Sequence, residues 1–166
     1  LYEEALGVDQ DLAKAAGWYA VAADLGNAAA QNRLAMMFLM GRGVPKDTAK
    51  AAEVFEAAAA SGNADAAHAL ALLYLRGEAR GPDPEAAFRY MKLAAEGGDP
   101  KAQHALAIMY EEGQGTLPDD VEATRWYGRA AEAGDPAASL AYAQRRLQGI
   151  GAPADPDVAL PFLAVA

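Results

Sequence analysis

Apolar positions along this chain follow a helical beat, and the beat restarts at a fixed interval. Between residues 28 and 40 the residues Leu34, Met37 and Phe38 fall at i, i+3 and i+4, one face of a helix. Leu70, Leu73 and Tyr74 repeat that spacing 36 positions later. The spacing predicts a first helix of each repeat, helix A, over about 28–40, 64–76, 100–112 and 136–148. Each opens after a good N-cap (Asn27, Asn63, Asp99, Asp135), and Pro100 and Pro136 take the favoured first helical position. Each closes at a glycine: Gly41, Gly77, Gly113 or Gly149. A second helix, helix B, is expected to start after Asp11, Asp47, Asp83, Asp119 and Asp155. It should end at Gly26, Gly62, Gly98 and Gly134, in left-handed backbone.

Ala15, Ala51, Ala87, Ala123 and Ala159 form one further column at the same period of 36, and no insertion interrupts it. The chain thus divides into a partial repeat 1–27, complete repeats 28–63, 64–99 and 100–135, and a truncated repeat 136–166, all within one domain. A repeat cannot bury its own apolar face and must stack on its neighbours. Leu34, Phe38, Ala51, Phe55 and Ala58 are therefore expected in the core, and the pairs Trp18–Tyr19 and Trp126–Tyr127 in packing between repeats. Two departures stand out. In "GEARGPD" Ala79 and Arg80 replace a glycine and a valine, so that turn should follow a different path. Pro161 lies inside the last helix B, where it removes a hydrogen bond and should kink the helix.

The recurring pattern is carried by Gln31, Leu34, Ala35, Met37, Phe38, Gly41, Gly43, Val44, Pro45, Asp47, Ala51, Phe55, Ala58, Gly62 and Asn63. It resembles the Sel-1-like repeat, a relative of the tetratricopeptide repeat, over essentially the whole chain. The resemblance implies an all-α fold, a right-handed α-solenoid of paired antiparallel helices. It also implies a scaffold or adaptor that binds other proteins.

Composition narrows the picture. Alanine fills roughly a quarter of all positions, which favours helices that approach closely. The net charge of −9 and the lack of any Lys/Arg cluster argue against nucleic acid as a partner and against an anionic membrane surface. The longest apolar run, Leu34 to Met40, has seven residues, far short of the roughly 20 that span a bilayer. Cysteine is absent, which removes disulfides and thiolate metal sites. The first residues read as the middle of a repeat, so the chain is expected to be a piece of a longer protein. The composition favours a bacterial setting, and the envelope-scaffold role that the resemblance implies puts the periplasm slightly ahead of the cytoplasm.

Candidate chemistry is sparse. Seven of the 23 acidic residues serve as helix caps and should not be recruited as catalytic carboxylates. The only serines are Ser61 and Ser139, and neither sits in a nucleophile elbow. The Gly-x-Gly turns lack the lysine of a phosphate loop and precede acidic helix starts. No enzymatic activity, cofactor or metal is expected. His68 and His104 share a column, but equivalent positions on stacked helices lie about 8–10 Å apart, too far for two imidazoles to share one ion readily.

In tetratricopeptide arrays helix A lines the concave surface, and the matching columns here are the candidate binding face. They begin with Ala29, Asp65 and Lys101 and continue with Asn32, His68 and His104; Met36, Leu72 and Ile108; Leu39, Leu75 and Glu111; and Met40, Arg76 and Glu112. Methionine and leucine in the middle with polar edges suit an amphipathic helix or an extended apolar segment of a protein partner. The expected function is a protein-interaction module of a larger bacterial envelope or polar-localisation scaffold. The alternative is a module for a small ligand or cell-wall fragment, or an enzyme-linked relative.

Overall fold

The computed structural model describes residues 11–164, which form nine α-helices and no strand. They are α1 (Leu12–Asp24), α2 (Ala28–Met40), α3 (Thr48–Ala60), α4 (Ala64–Leu75), α5 (Pro84–Glu96), α6 (Pro100–Glu112), α7 (Asp120–Glu132), α8 (Pro136–Gln148) and α9 (Pro156–Leu163). Even-numbered helices are the A helices of the sequence pattern and odd-numbered ones the B helices. The fold is an all-α solenoid of repeats about 36 residues long. The chain divides into two compact units, one ending at Asp83 and one beginning at Pro84. In the first, α2 packs on α1 and α3, and α3 on α4; in the second, each helix from α5 to α9 packs on the next. Contacts between sequence neighbours are what stacked repeats require.

The caps do what their residue types allow. Asp47 Oδ1 accepts from the Lys50 N–H at 2.9 Å, and Asn27 Oδ1 from that of Ala30 at 2.9 Å. Asp11, Asn63, Asp99, Asp119, Asp135 and Asp155 accept in the same manner at their own helix starts. The glutamine of the pattern also satisfies helix-end groups. Gln31 Nε2 donates to the Ala23 carbonyl and Gln103 Nε2 to that of Ala95, each at 3.2 Å. Each tie joins helix A to the end of the preceding helix B, where carbonyls lack helical partners.

Ala51, Ala87, Ala123 and Ala159 are fully buried, as are Phe55, Leu70, Met91 and Leu106. A small residue on every B helix thus lets large side chains fill the space between helices. The second glycine of each turn makes the seam between successive repeats. A Cβ on Gly43, Gly115 or Gly151 would lie 2.2, 2.0 or 1.9 Å from the carbonyl oxygen of Leu12, Pro84 or Asp120. The turn therefore rests with its bare backbone on the first turn of the previous helix B, at φ near +70°. Ala79 occupies this column after α4 and cannot do the same, because no described non-glycine residue takes a positive φ. That turn follows another path, as its sequence suggested. Helix α4 stops at Leu75 with Arg76 as a right-handed cap, and Gly77 and Gly81 bring the chain round.

Two core expectations need correction. Trp126 and Tyr127 are buried, but Trp18 is 65% exposed. Helix α7 packs against both α6 and α8, whereas among the described residues α1 packs mainly on α2. Phe38 is only half-buried; its ring lies under the Lys50 ammonium, 4.9 Å from Nζ to centroid, a polar neighbour that the outer edge of α2 permits. Pro161 lies inside α9.

Candidate functional site

In the first unit, α2 presents Asn32, Met36 and Leu39 half-buried and Met40 54% exposed. Helix α4 presents His68 and Leu72 half-buried, Leu75 37% exposed, and Arg76 exposed at its end. A cleft of about 180 Å³ is lined by Met36, Met37 and Met40 with Arg33 and Arg42. In the second unit, α6 presents His104 and Ile108 half-buried and Glu111 and Glu112 exposed. The central column of Met36, Leu72 and Ile108 is thus less open than an empty groove would be. These side chains already touch neighbours and offer an edge rather than a full face.

The rims differ in charge. Exposed Arg33 and Arg76 accompany the apolar residues of the first unit, while Glu111 and Glu112 accompany Ile108 in the second. His104 Nδ1 lies 3.3 Å from Oδ1 of Asp135, the cap of α8, and its ring is 5.8 Å from that of Tyr127. Among the described residues, no three or more His, Asp or Glu side chains gather as a metal site would require. No described helix is long and apolar enough to cross a membrane.

Glu111 has an internal role that its position did not announce. Its Oε1 lies 2.6 Å from Nη1 of Arg145, and its Oε2 accepts from the Tyr127 hydroxyl at 2.7 Å. Arg145 is 5% exposed, yet every edge of its guanidinium is used. Nε donates to Thr124 Oγ1 at 2.7 Å, and Nη2 to Asp120 Oδ1 at 2.5 Å. Thr124 in turn donates to the Ile150 carbonyl at 2.9 Å, so the network joins α6, α7, α8 and the turn after α8. Burial first, and the bond to Glu111 second, push the Tyr127 phenol well above its usual 10.

Sequence reasoning passed over Arg145, Thr124 and Asp120. The signal was available: Arg145 stands in the column that holds Met37, Leu73 and Met109, all buried, and Arg146 stands where the other repeats carry Phe38, Tyr74 and Tyr110. A charge in a core column needs partners, and the structure supplies them.

The short helix pairs, glycine seams and packing between successive helices define a helical-repeat protein of the tetratricopeptide-like class. Within that class the chain belongs to the Sel1 repeat family, whose model matches residues 1–27, 28–63, 64–99, 100–135 and 136–162. It is similar to the crystal structure of a Sel1 repeat protein from Oxalobacter formigenes, with 31% identity and a TM-score of 0.87, over 99% of this chain and 68% of that one. It is also similar to c5321, a protective antigen present in uropathogenic Escherichia coli strains that displays the same fold. There the identity is 30% and the TM-score 0.88, over 99% of this chain but only 35% of the antigen. Helicobacter pylori cysteine rich protein B shares the fold at 19% identity and a TM-score of 0.60, over 80% of this chain and 96% of that one. No curated protein matches the sequence. Sel1 repeat proteins are generally protein-interaction scaffolds.

Proposed function

We propose that the chain is a non-catalytic adaptor that holds a segment of a protein partner against its A helices. The observation that carries this reading is that, in each unit, apolar side chains are left partly open on those helices. Met36, Met40, Leu72 and Leu75 lie in the first unit and Ile108 in the second. A helix face covered by its own fold has no need of them at the surface, and methionine adapts to partners of varied shape. Asn32, Leu39, His68, Arg76, His104 and Glu112 flank the apolar residues as polar or edge contacts. Glu111 shapes the wall through its bonds to Arg145 and Tyr127. In this reading the chain is one module of a larger bacterial envelope or polar-localisation scaffold, a setting supported by its likeness to an antigen it matches over a minor part of that protein's length.

The test is a parallel capture from the native organism with wild type, Leu72→Asp and Met40→Asp. A buried unpaired carboxylate opposes binding through its desolvation cost. Met40 is 54% exposed, so its variant keeps the fold even if Leu72→Asp does not. Loss of the same specific partner from a folded variant supports the adaptor reading. Unchanged capture by both folded variants places binding elsewhere.

A further inference from the structure

The second unit carries a cleft of about 430 Å³ away from the A-helix columns, bounded by α7, α8 and the turn after α8. Its walls include Arg125, Arg129 and Arg146, with Gly128 and Tyr142 between them and Glu132 as the one lining acid. Three guanidinium groups converge here on a chain whose net charge is −9. We infer that this cleft is a binding site for a small carboxylate-bearing ligand.

Comparison with the other repeats shows how the cleft is made. Arg129 stands where the other repeats have Val21, Ala57 and Leu93, and Arg125 where they have Gly17, Glu53 and Arg89, so Arg129 is the cation peculiar to this repeat. Gly128 stands where Glu56 and Lys92 carry long side chains, and a Cβ there would lie 3.0 Å from the Tyr142 ring. Tyr142 itself replaces the leucine of Leu34, Leu70 and Leu106. Glycine inside a helix costs about 1 kcal/mol relative to alanine, so the exchange of Leu for Tyr against Gly is not helix optimisation. Arg146 completes the set by replacing an aromatic residue.

Of the three cations, Arg129 carries no ion pair among the described residues, while Arg125 and Arg146 each share their charge with one carboxylate. Arg129 stacks over Trp126, 4.6 Å from guanidinium carbon to ring, which orients its fork while leaving its N–H edges free for an acceptor. Arg125 meets both oxygens of Glu122 at 3.0 and 3.2 Å through a single nitrogen, with its side chain 53% exposed. Such a surface pair is weak and exchanges easily for a ligand carboxylate. Arg146 Nη2 pairs with Asp155 at 3.2 Å, and its buried Nε has no hydrogen-bond partner. Both existing pairs are with planar carboxylates, the geometry that a guanidinium fork matches. The strongly negative protein as a whole disfavours polyanions, so a ligand of one or two charges fits best.

Trp126, buried beneath Arg129, provides the readout. In a Trp18→Phe background it is the sole tryptophan, and the exposed Trp18 can be lost without opening the core. The experiment titrates succinate, inorganic phosphate and chloride at equal ionic strength, by Trp126 emission and by calorimetry. Succinate should give a saturable response that chloride does not. Arg129→Gln and Arg125→Gln should each weaken it by about tenfold or more, with circular dichroism unchanged. A succinate response no greater than that of chloride, or one untouched by both arginine variants, overturns the site. Tighter binding of phosphate than of succinate overturns the ligand class.

Discussion

Gly115→Ala and Gly98→Ala make the same chemical change at similar backbone angles, and the fold predicts different consequences. Gly98 has φ +91° and no atom within 4 Å of an added Cβ, so only the backbone objects. Holding alanine in left-handed conformation costs about 1 kcal/mol. Gly115 has φ +70°, but its Cβ would lie 2.0 Å from the Pro84 carbonyl oxygen and 2.5 Å from its carbon. Relief requires the turn to lift off α5 by more than an ångström, which adds an overpacking cost of about 1–3 kcal/mol. The expected total is about 2–4 kcal/mol, two to four times the loss at Gly98. Urea unfolding followed by helical circular dichroism measures both, with midpoints compared at equal slope. Equal losses, or a smaller loss for Gly115→Ala, would refute the claim that bare backbone contact joins successive repeats.

Arg145→Met installs the residue of Met37 and Met109 and should change stability by no more than about 1 kcal/mol, because Glu111 and Asp120 are exposed enough to be rehydrated. Arg145→Ala leaves a cavity as well and should cost about 2–4 kcal/mol, read in the same urea assay. Tyr127 binds its proton more tightly in the folded state, so its contribution is complete below pH 10 and is lost as pH rises beyond it. Tyr127→Phe should remove that part of the alkaline destabilisation, and an identical profile above pH 10 would refute the assignment. Deleting residues 106–141, one period, should leave a helical and less stable protein; loss of helicity would contradict stacking between neighbours alone.

The repeat architecture was legible because caps and glycines are local signals. Asp47 caps α3 with its own side chain, and Gly62 turns left-handed at φ +85°, whatever surrounds them. The seam was not legible, since nothing in "GRG" says that Gly43 rests on the Leu12 carbonyl 31 positions earlier. Half-burial of Met36, Leu72 and Ile108 also depends on tertiary neighbours, which the apolar pattern does not name. Glu111 was read as a rim charge because its partner is 34 positions away. Arg145 and Arg146 could have been found by reading each column for its exception as well as its rule.

The adaptor claim is tested most directly by placing a photo-crosslinking amino acid at single positions of the folded protein in its native organism. Met40 and Leu75 sample the A helices; Val121 and Leu160, both 59% exposed, sample the B helices. The expected result is one discrete adduct from Met40 or Leu75, mapped by mass spectrometry to an apolar segment of a second protein. Adducts from Val121 or Leu160, with none from Met40 and Leu75, would contradict it.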